Sequence, residues 1–136
     1  KISGETVSEM SSSEKDAYFL DTIRSEKIAV IDIKTSELIS AGFIYSSETF
    51  SLSLAAQLKM TGAHQVKDDP ALIYPIKWNT IDDGYFVSLT GEPDLDAFYL
   101  TGLAKIRSHL DSGTSLKDQV RAATTISEVD AVEDTR

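Results

Sequence analysis

At 136 residues, 41% apolar and 26% charged, the chain is long enough for one domain with a sizeable core and too apolar to be disordered throughout. Its 22 Asp plus Glu against 13 Lys plus Arg give a net charge of −9, a field that repels nucleic-acid phosphates and anionic lipid, and the basic residues do not cluster in sequence. The absence of cysteine removes disulfides, thiolate catalysis and every cysteine-based metal site, and no apolar run approaches the ~18 residues of a membrane span.

The N-terminus lacks a basic-then-apolar signal pattern. A chain that opens on Lys1 rather than Met reads as a visible fragment of a longer protein. Residues 1–12 read as a linker or loose N-terminus. Ser11 and Glu14 then stand in capping-box spacing and predict a long helix over 13–41, with Gly42 as its C-terminal stop. Ala17, Leu20, Ile23, Ile28, Ile31, Leu38 and Ile39 recur at roughly helical intervals, while Arg24, Lys27 and Lys34 are expected to point elsewhere. The β-branched run "IAVIDI", Ile28 to Ile33, would also suit a strand, but its surroundings favour helix. Such a helix would reach about 40 Å at 1.5 Å per residue. That length suggests packing against copies of itself or another chain, with Leu20, Ile23 and Ile31 as candidate contact residues.

Residues 42–125 read as a small α+β domain. Phe43, Tyr45, Phe50 and Leu52 alternate with polar residues and predict a β-hairpin whose tip is Ser46 to Thr49. A short helix follows, carrying Leu54, Leu58 and Met60 and ending near Gly62; "KDDPALIYP" is a loop. A second hairpin places Ile76 and Trp78 on one arm and Tyr85, Val87 and Leu89 on the other, turned by Asp82-Asp83-Gly84. Pro93 and Asp94 start a helix with Leu95, Phe98, Leu103, Ile106 and Leu110 on one face, closed by Gly113. Thr114 or Ser115 then caps another, with Leu116, Val120 and Ala123. Residues 126–136 form a C-terminal helical hook in which a turn from Ser127 carries Val129 and Val132. The fold class is α+β: a long N-terminal helix, two β-hairpins with a short helix between them, and C-terminal helices.

Chemistry-bearing motifs are absent from the sequence. His64 and His109 stand far apart with no second ligand beside either, and His109 suits a helix C-terminus, where its cationic form complements the dipole. Asp82 and Asp83 belong to turn chemistry. Glu92, Asp94 and Asp96 form the one carboxylate cluster that invites a cation, but it lacks the glycine and terminal Glu of a calcium loop. No serine sits in a nucleophile elbow, and the glycines form no phosphate-binding loop. Tyr74, Trp78, Tyr85 and Phe86 read either as an exposed aromatic platform or as a cross-strand cluster packed under helices. No enzymatic activity and no cofactor are expected.

A helix ending in Ala41-Gly42-Phe43, a hairpin closing in "TFSLS" (Thr49 to Ser53), then Trp78, Thr80, Asp82, Asp83 and Gly84, then Val87, Leu89 and Thr90, and finally a helix through His109 before "LKDQVRAAT" follow in order. This arrangement resembles a domain of uncharacterised function common in tail-associated proteins of bacteriophages and prophages, over about Ile28 to Thr125. The resemblance implies a structural virion component of a tail, baseplate or fibre, partnered by other virion proteins and by copies of itself. It carries no catalytic residues. The alternatives are a fibre-assembly chaperone absent from the finished particle, and a carbohydrate-binding module using Trp78 and Tyr85. On this resemblance the Phe43 to Ser53 hairpin folds back over the end of the long helix, with Phe43 and Phe50 inward and the Ser46 to Thr49 tip outward.

Overall fold

The computed structural model describes residues 10–136. Among them the fold is α+β, in the order α1 (Ser12–Ser40), β1 (Phe43–Tyr45), β2 (Glu48–Phe50), α2 (Leu54–Gln65), β3 (Ile76–Asn79), β4 (Phe86–Leu89), α3 (Glu92–Ala122) and α4 (Ile126–Ala131), with β1–β2 and β3–β4 as separate antiparallel pairs. Of the predicted loose stretch 1–12, residues 1–9 lie outside the described residues, Ser11 caps α1 and Ser12 opens it. The chain divides into two compact units, one formed by the chain up to Lys34 with Asp111–Arg136, the other by Thr35–Leu110. The divisions fall inside α1 and α3, so neither unit is continuous with the chain-order segments read from sequence.

In the first unit α1 begins with a reciprocal capping box. The Glu14 amide donates to Ser11 Oγ at 3.2 Å, and the Ser11 amide donates to Glu14 Oε1 at 2.9 Å. The run Ile28–Ile33 is helical because burial of one face outweighs β propensity: Ile31 is buried and Ile28 half-buried, while Val30 and Ile33 remain in water. Ile31 packs with Val120, Ala123, Val129 and Val132, flanked by Leu20, Ile23, Ile28 and Leu116. Arg24, Lys27 and Lys34 do not point elsewhere, as predicted, but lie half-buried, following Leu20 and flanking Ile31 in steps of four and three. Aliphatic stems allow this, since they pack while their charges leave at the edge. The Arg24 guanidinium thus reaches Asp21 at 3.0 Å and the carbonyl of Ala123, just beyond the end of α3. Ala17, predicted inward, is exposed. The terminal hook forms as read, with Val129 and Val132 buried, but its cap is Thr125 rather than Ser127: Thr125 Oγ accepts from the Glu128 amide at 3.1 Å. Arg136 then pairs with Asp134 at 2.6 Å and donates to the Ile31 carbonyl at 3.2 Å.

In the second unit Gly42 takes φ +86° and its amide donates to the Ile39 carbonyl, the αL stop the sequence signals. β1 pairs with β2 in the register Phe43↔Phe50, closed by the two-residue turn Ser46-Ser47, both at positive φ as a right-twisted two-residue hairpin requires. Phe43 and Phe50 are buried; Ser46 and Ser47 are exposed, whereas Glu48 and Thr49, read as part of an outward tip, are half-buried. Phe98 is the hub of the core, with ring centroids of Phe43, Phe50 and Trp78 at 5.1 Å and of Tyr45 at 5.2 Å. Leu52, Met60, Leu89 and Leu95 complete it.

Three readings of these elements need correction. α2 does not stop at Gly62 but continues to Gln65, and it buries Met60 with Ala63 half-buried beside it, leaving Leu54 and Leu58 in water. Tertiary packing chose the face, and Gly62 sits where a Cβ would meet nothing within 4 Å. Tyr85 is not on the inner arm of the second hairpin: it precedes β4 and is 65% exposed. Thr80 and Tyr85 close the turn on each other, the Thr80 amide to the Tyr85 carbonyl at 2.9 Å and the Tyr85 amide to Thr80 Oγ at 3.1 Å, so strand alternation starts only at Phe86. Finally, Gly113 ends nothing and neither Thr114 nor Ser115 is a cap; α3 runs unbroken to Ala122. Its buried stripe passes through Leu95, Phe98, Gly102, Gly113, Val120 and on to Ala123, and both glycines are buried within the helix rather than ending it. A Cβ on Gly102 would stand 2.7 Å from Met60 Cε, so glycine holds that buried place, and Leu103 and Leu110, read as part of the inner face, stand in water.

Candidate interaction surfaces

The residues singled out from sequence separate by burial. Leu20, Ile23 and Ile31 pack in the first unit, and Phe43, Phe50 and Trp78 in the core of the second. The inner stripe of α1 is therefore covered by the chain's own Val120, Ala123 and hook. Tyr85 is the exposed member of the set.

The four aromatic residues of the second hairpin form neither one platform nor one cluster. Trp78 is buried, with Lys59 Nζ 4.6 Å over its ring. The Tyr74 hydroxyl donates to the Lys67 carbonyl at 2.8 Å. Tyr85 and Phe86 stay outside, their rings 6.2 Å apart and tilted 26°, with Lys77 Nζ 5.0 Å over Phe86. The Asp82-Asp83-Gly84 turn is held from within. Asp82 Oδ1 accepts from Thr80 Oγ at 2.7 Å and from the Gly84 amide at 3.1 Å, and Thr80's hydroxyl holds the Asp82 carboxyl below its ordinary value.

A polar cluster that the sequence did not signal ties the end of α2 to the first turns of α3. Asp96 Oδ1 lies 2.7 Å from Lys67 Nζ and 2.8 Å from His64 Nε2, and the His64 ring stacks on Tyr99 at 4.0 Å. The hydrogen bond from Lys67 lowers the Asp96 pKa, burial opposes it, and His64 adds to the lowering; the same bond raises Lys67. Its partners are 29 and 32 residues apart, so no local pattern could reveal it. The cluster also divides the carboxylate group read as a possible cation site. Asp94 turns back to the Thr90 amide and hydroxyl at 2.9 and 2.6 Å, and Asp96 turns to Lys67. Among the described residues no three His, Asp or Glu side chains gather in a metal-binding arrangement. His109, read as lying at a helix C-terminus, is in mid-helix because α3 continues past it.

The remaining surface of interest is a groove between α2 and α3 lined by Gln57, Met60, Thr61, Tyr99, Leu103 and Ile106. Leu58, 66% exposed, and Leu100 stand on the same two helices, both in water. The sequence places Leu58 on the short helix and does not single out Leu100. No described helix is long and apolar enough to cross a membrane.

A family model described as a domain of unknown function, DUF4376, matches residues 22–133. No curated protein and no solved structure matches the chain.

Proposed function

The chain belongs to the DUF4376 family, and on that premise we propose that it is an attachment domain of a bacteriophage virion, in a tail, baseplate or fibre, working by protein–protein contact and not by catalysis. The observation that carries this reading is how the phage-like motif residues are used. Gly42, Phe43, Phe50, Trp78, Thr80, Asp82 and Leu89 all build turns or core, and large apolar side chains such as Leu54, Leu58, Tyr85 and Leu100 are left in water. His64 and Asp96, the pair closest to a catalytic arrangement, are spent on tying α2 to α3, with Lys67 sharing the same carboxylate oxygen. A sugar-binding role would have to rely on Tyr85 and Phe86, since Trp78 is buried.

The test is mass spectrometry of purified particles made by the genome that encodes the chain, beside the lysate from which they come. Peptides of the chain in fixed ratio to other tail proteins support a virion component. Peptides abundant in the lysate and absent from particles would replace that reading with an assembly chaperone.

A further inference from the structure

Two surfaces, one in each compact unit, leave apolar side chains in water and bear opposite unpaired charge. The first is the α2/α3 groove, floored by Met60, Tyr99 and Ile106. In a chain with 22 acidic residues, the segments that build it, 54–67 and 97–110, contain neither Asp nor Glu. Arg107 lies one helical turn beyond Leu103 and joins no ion pair among the described residues. The second surface is the outer face of α1. Phe19, Glu26, Val30 and Ile33 follow in steps of seven, four and three, which places them on one helical stripe, and all four are exposed. Glu26 also joins no ion pair among the described residues.

We propose that the groove of one copy receives the outer α1 stripe of a second copy, with Phe19, Val30 and Ile33 seated between Leu58 and Leu103 and Glu26 facing Arg107. Helix-in-groove recognition needs an apolar stripe of this spacing and a groove of this lining. Charge selects the pairing. Two chains of net charge −9 repel each other, and the acid-free groove is where a second copy approaches at least cost. A groove-to-groove contact would bring Arg107 to Arg107 with no acid between, whereas the α1 stripe supplies one. Each copy offers one stripe and one groove, so the contact is satisfied either reciprocally in a closed two-fold pair or head to tail in a ring or a filament. This inference rests on the attachment reading and names one partner for it.

The test is sedimentation of the purified full chain over a concentration series, with circular dichroism to establish that each variant is folded. The wild-type mass is expected to rise above that of a monomer with concentration. Glu26→Arg and Arg107→Glu are each expected to weaken association at least tenfold, and combining both in one chain is expected to restore it. Ile33→Asp mixed with Leu103→Asp is expected to stop at a one-to-one pair, since one intact stripe and one intact groove remain. A wild-type chain that is monomeric at every concentration would overturn the proposal, as would a dimer indifferent to these changes. A monomeric chain still found in purified particles would sink the second-copy partner and leave the attachment reading standing.

Discussion

A Cβ on Gly42 would stand 2.2 Å from the carbonyl oxygen of Phe50, its cross-strand neighbour one residue out of register. The backbone there is also at φ +86°, so both space and conformation reserve the position for glycine. Gly42→Ala is expected to destabilise the protein by about 2 kcal/mol or more. Gly62, in mid-helix with nothing around its missing Cβ, gives the opposite sign: Gly62→Ala is expected to stabilise by about 1 kcal/mol. Urea unfolding of both variants, read at unchanged slope, checks the pair.

Phe50 touches Phe43, Tyr45 and Phe98 and is fully buried. Phe50→Ala removes that ring from the core and is expected to cost about 3 kcal/mol. Tyr85→Ala removes a ring that stands in water and is expected to change stability by less than about 0.5 kcal/mol. Thermal melts of the two variants beside the wild type separate core from surface; equal losses would contradict the placement of Tyr85.

Several carboxyl groups are held below their ordinary values by hydrogen bonds made only in the folded chain: Asp96 by Lys67, Asp134 by Arg136, Asp94 by Thr90 and Glu128 by Thr124. A depressed folded value means that the unfolded chain binds protons first, so this stability is complete above about pH 5 and is lost as pH falls through about 4 and below. Lys67 and Arg136 are raised, so their contribution is complete below the ordinary lysine and arginine values and is lost only as pH rises through the raised ones. Urea midpoints are expected to be level from about pH 5 to 8 and to fall below pH 4. A midpoint that climbs on acidification would contradict these assignments.

What could be read from sequence was what depends on neighbours in the chain. The Ser11–Glu14 box, the Gly42 stop, the Asp82–Gly84 turn and the inward Phe43 and Phe50 all rest on contacts a few residues apart or on strict alternation, and each formed. The misreadings came where distant packing decides. Gly113 has the chemistry of a helix stop, yet it is buried in a continuous α3. Leu54 and Leu58 have the spacing of a core face, yet Met60 takes it because Gly102 opens room there. The stems of Lys27 and Lys34 share a face with Ile31, which a polar-or-apolar reading of side chains cannot anticipate. His64 and Asp96 meet only through the fold. Of the surfaces now considered for attachment, only Tyr85 is among the candidates read from sequence: the α1 residues named there, Leu20, Ile23 and Ile31, pack inside the chain, the outer stripe of Phe19, Val30 and Ile33 is not singled out, and a groove is a property of two helices together.

The most direct test of the central claim, that surface contact and not a reactive site carries the function, is the amount of the chain in purified particles for two variants measured side by side. One is Leu58→Asp/Leu103→Asp, which charges the groove; the other is His64→Ala, which removes the imidazole from Asp96 while Lys67 keeps its bond. With both variants folded, the expected result is that the groove variant is missing from particles and the His64 variant is present at the wild-type level with full infectivity. Particles that hold the groove variant normally but lose infectivity with His64→Ala would contradict it and turn attention to chemistry at the Asp96 cluster.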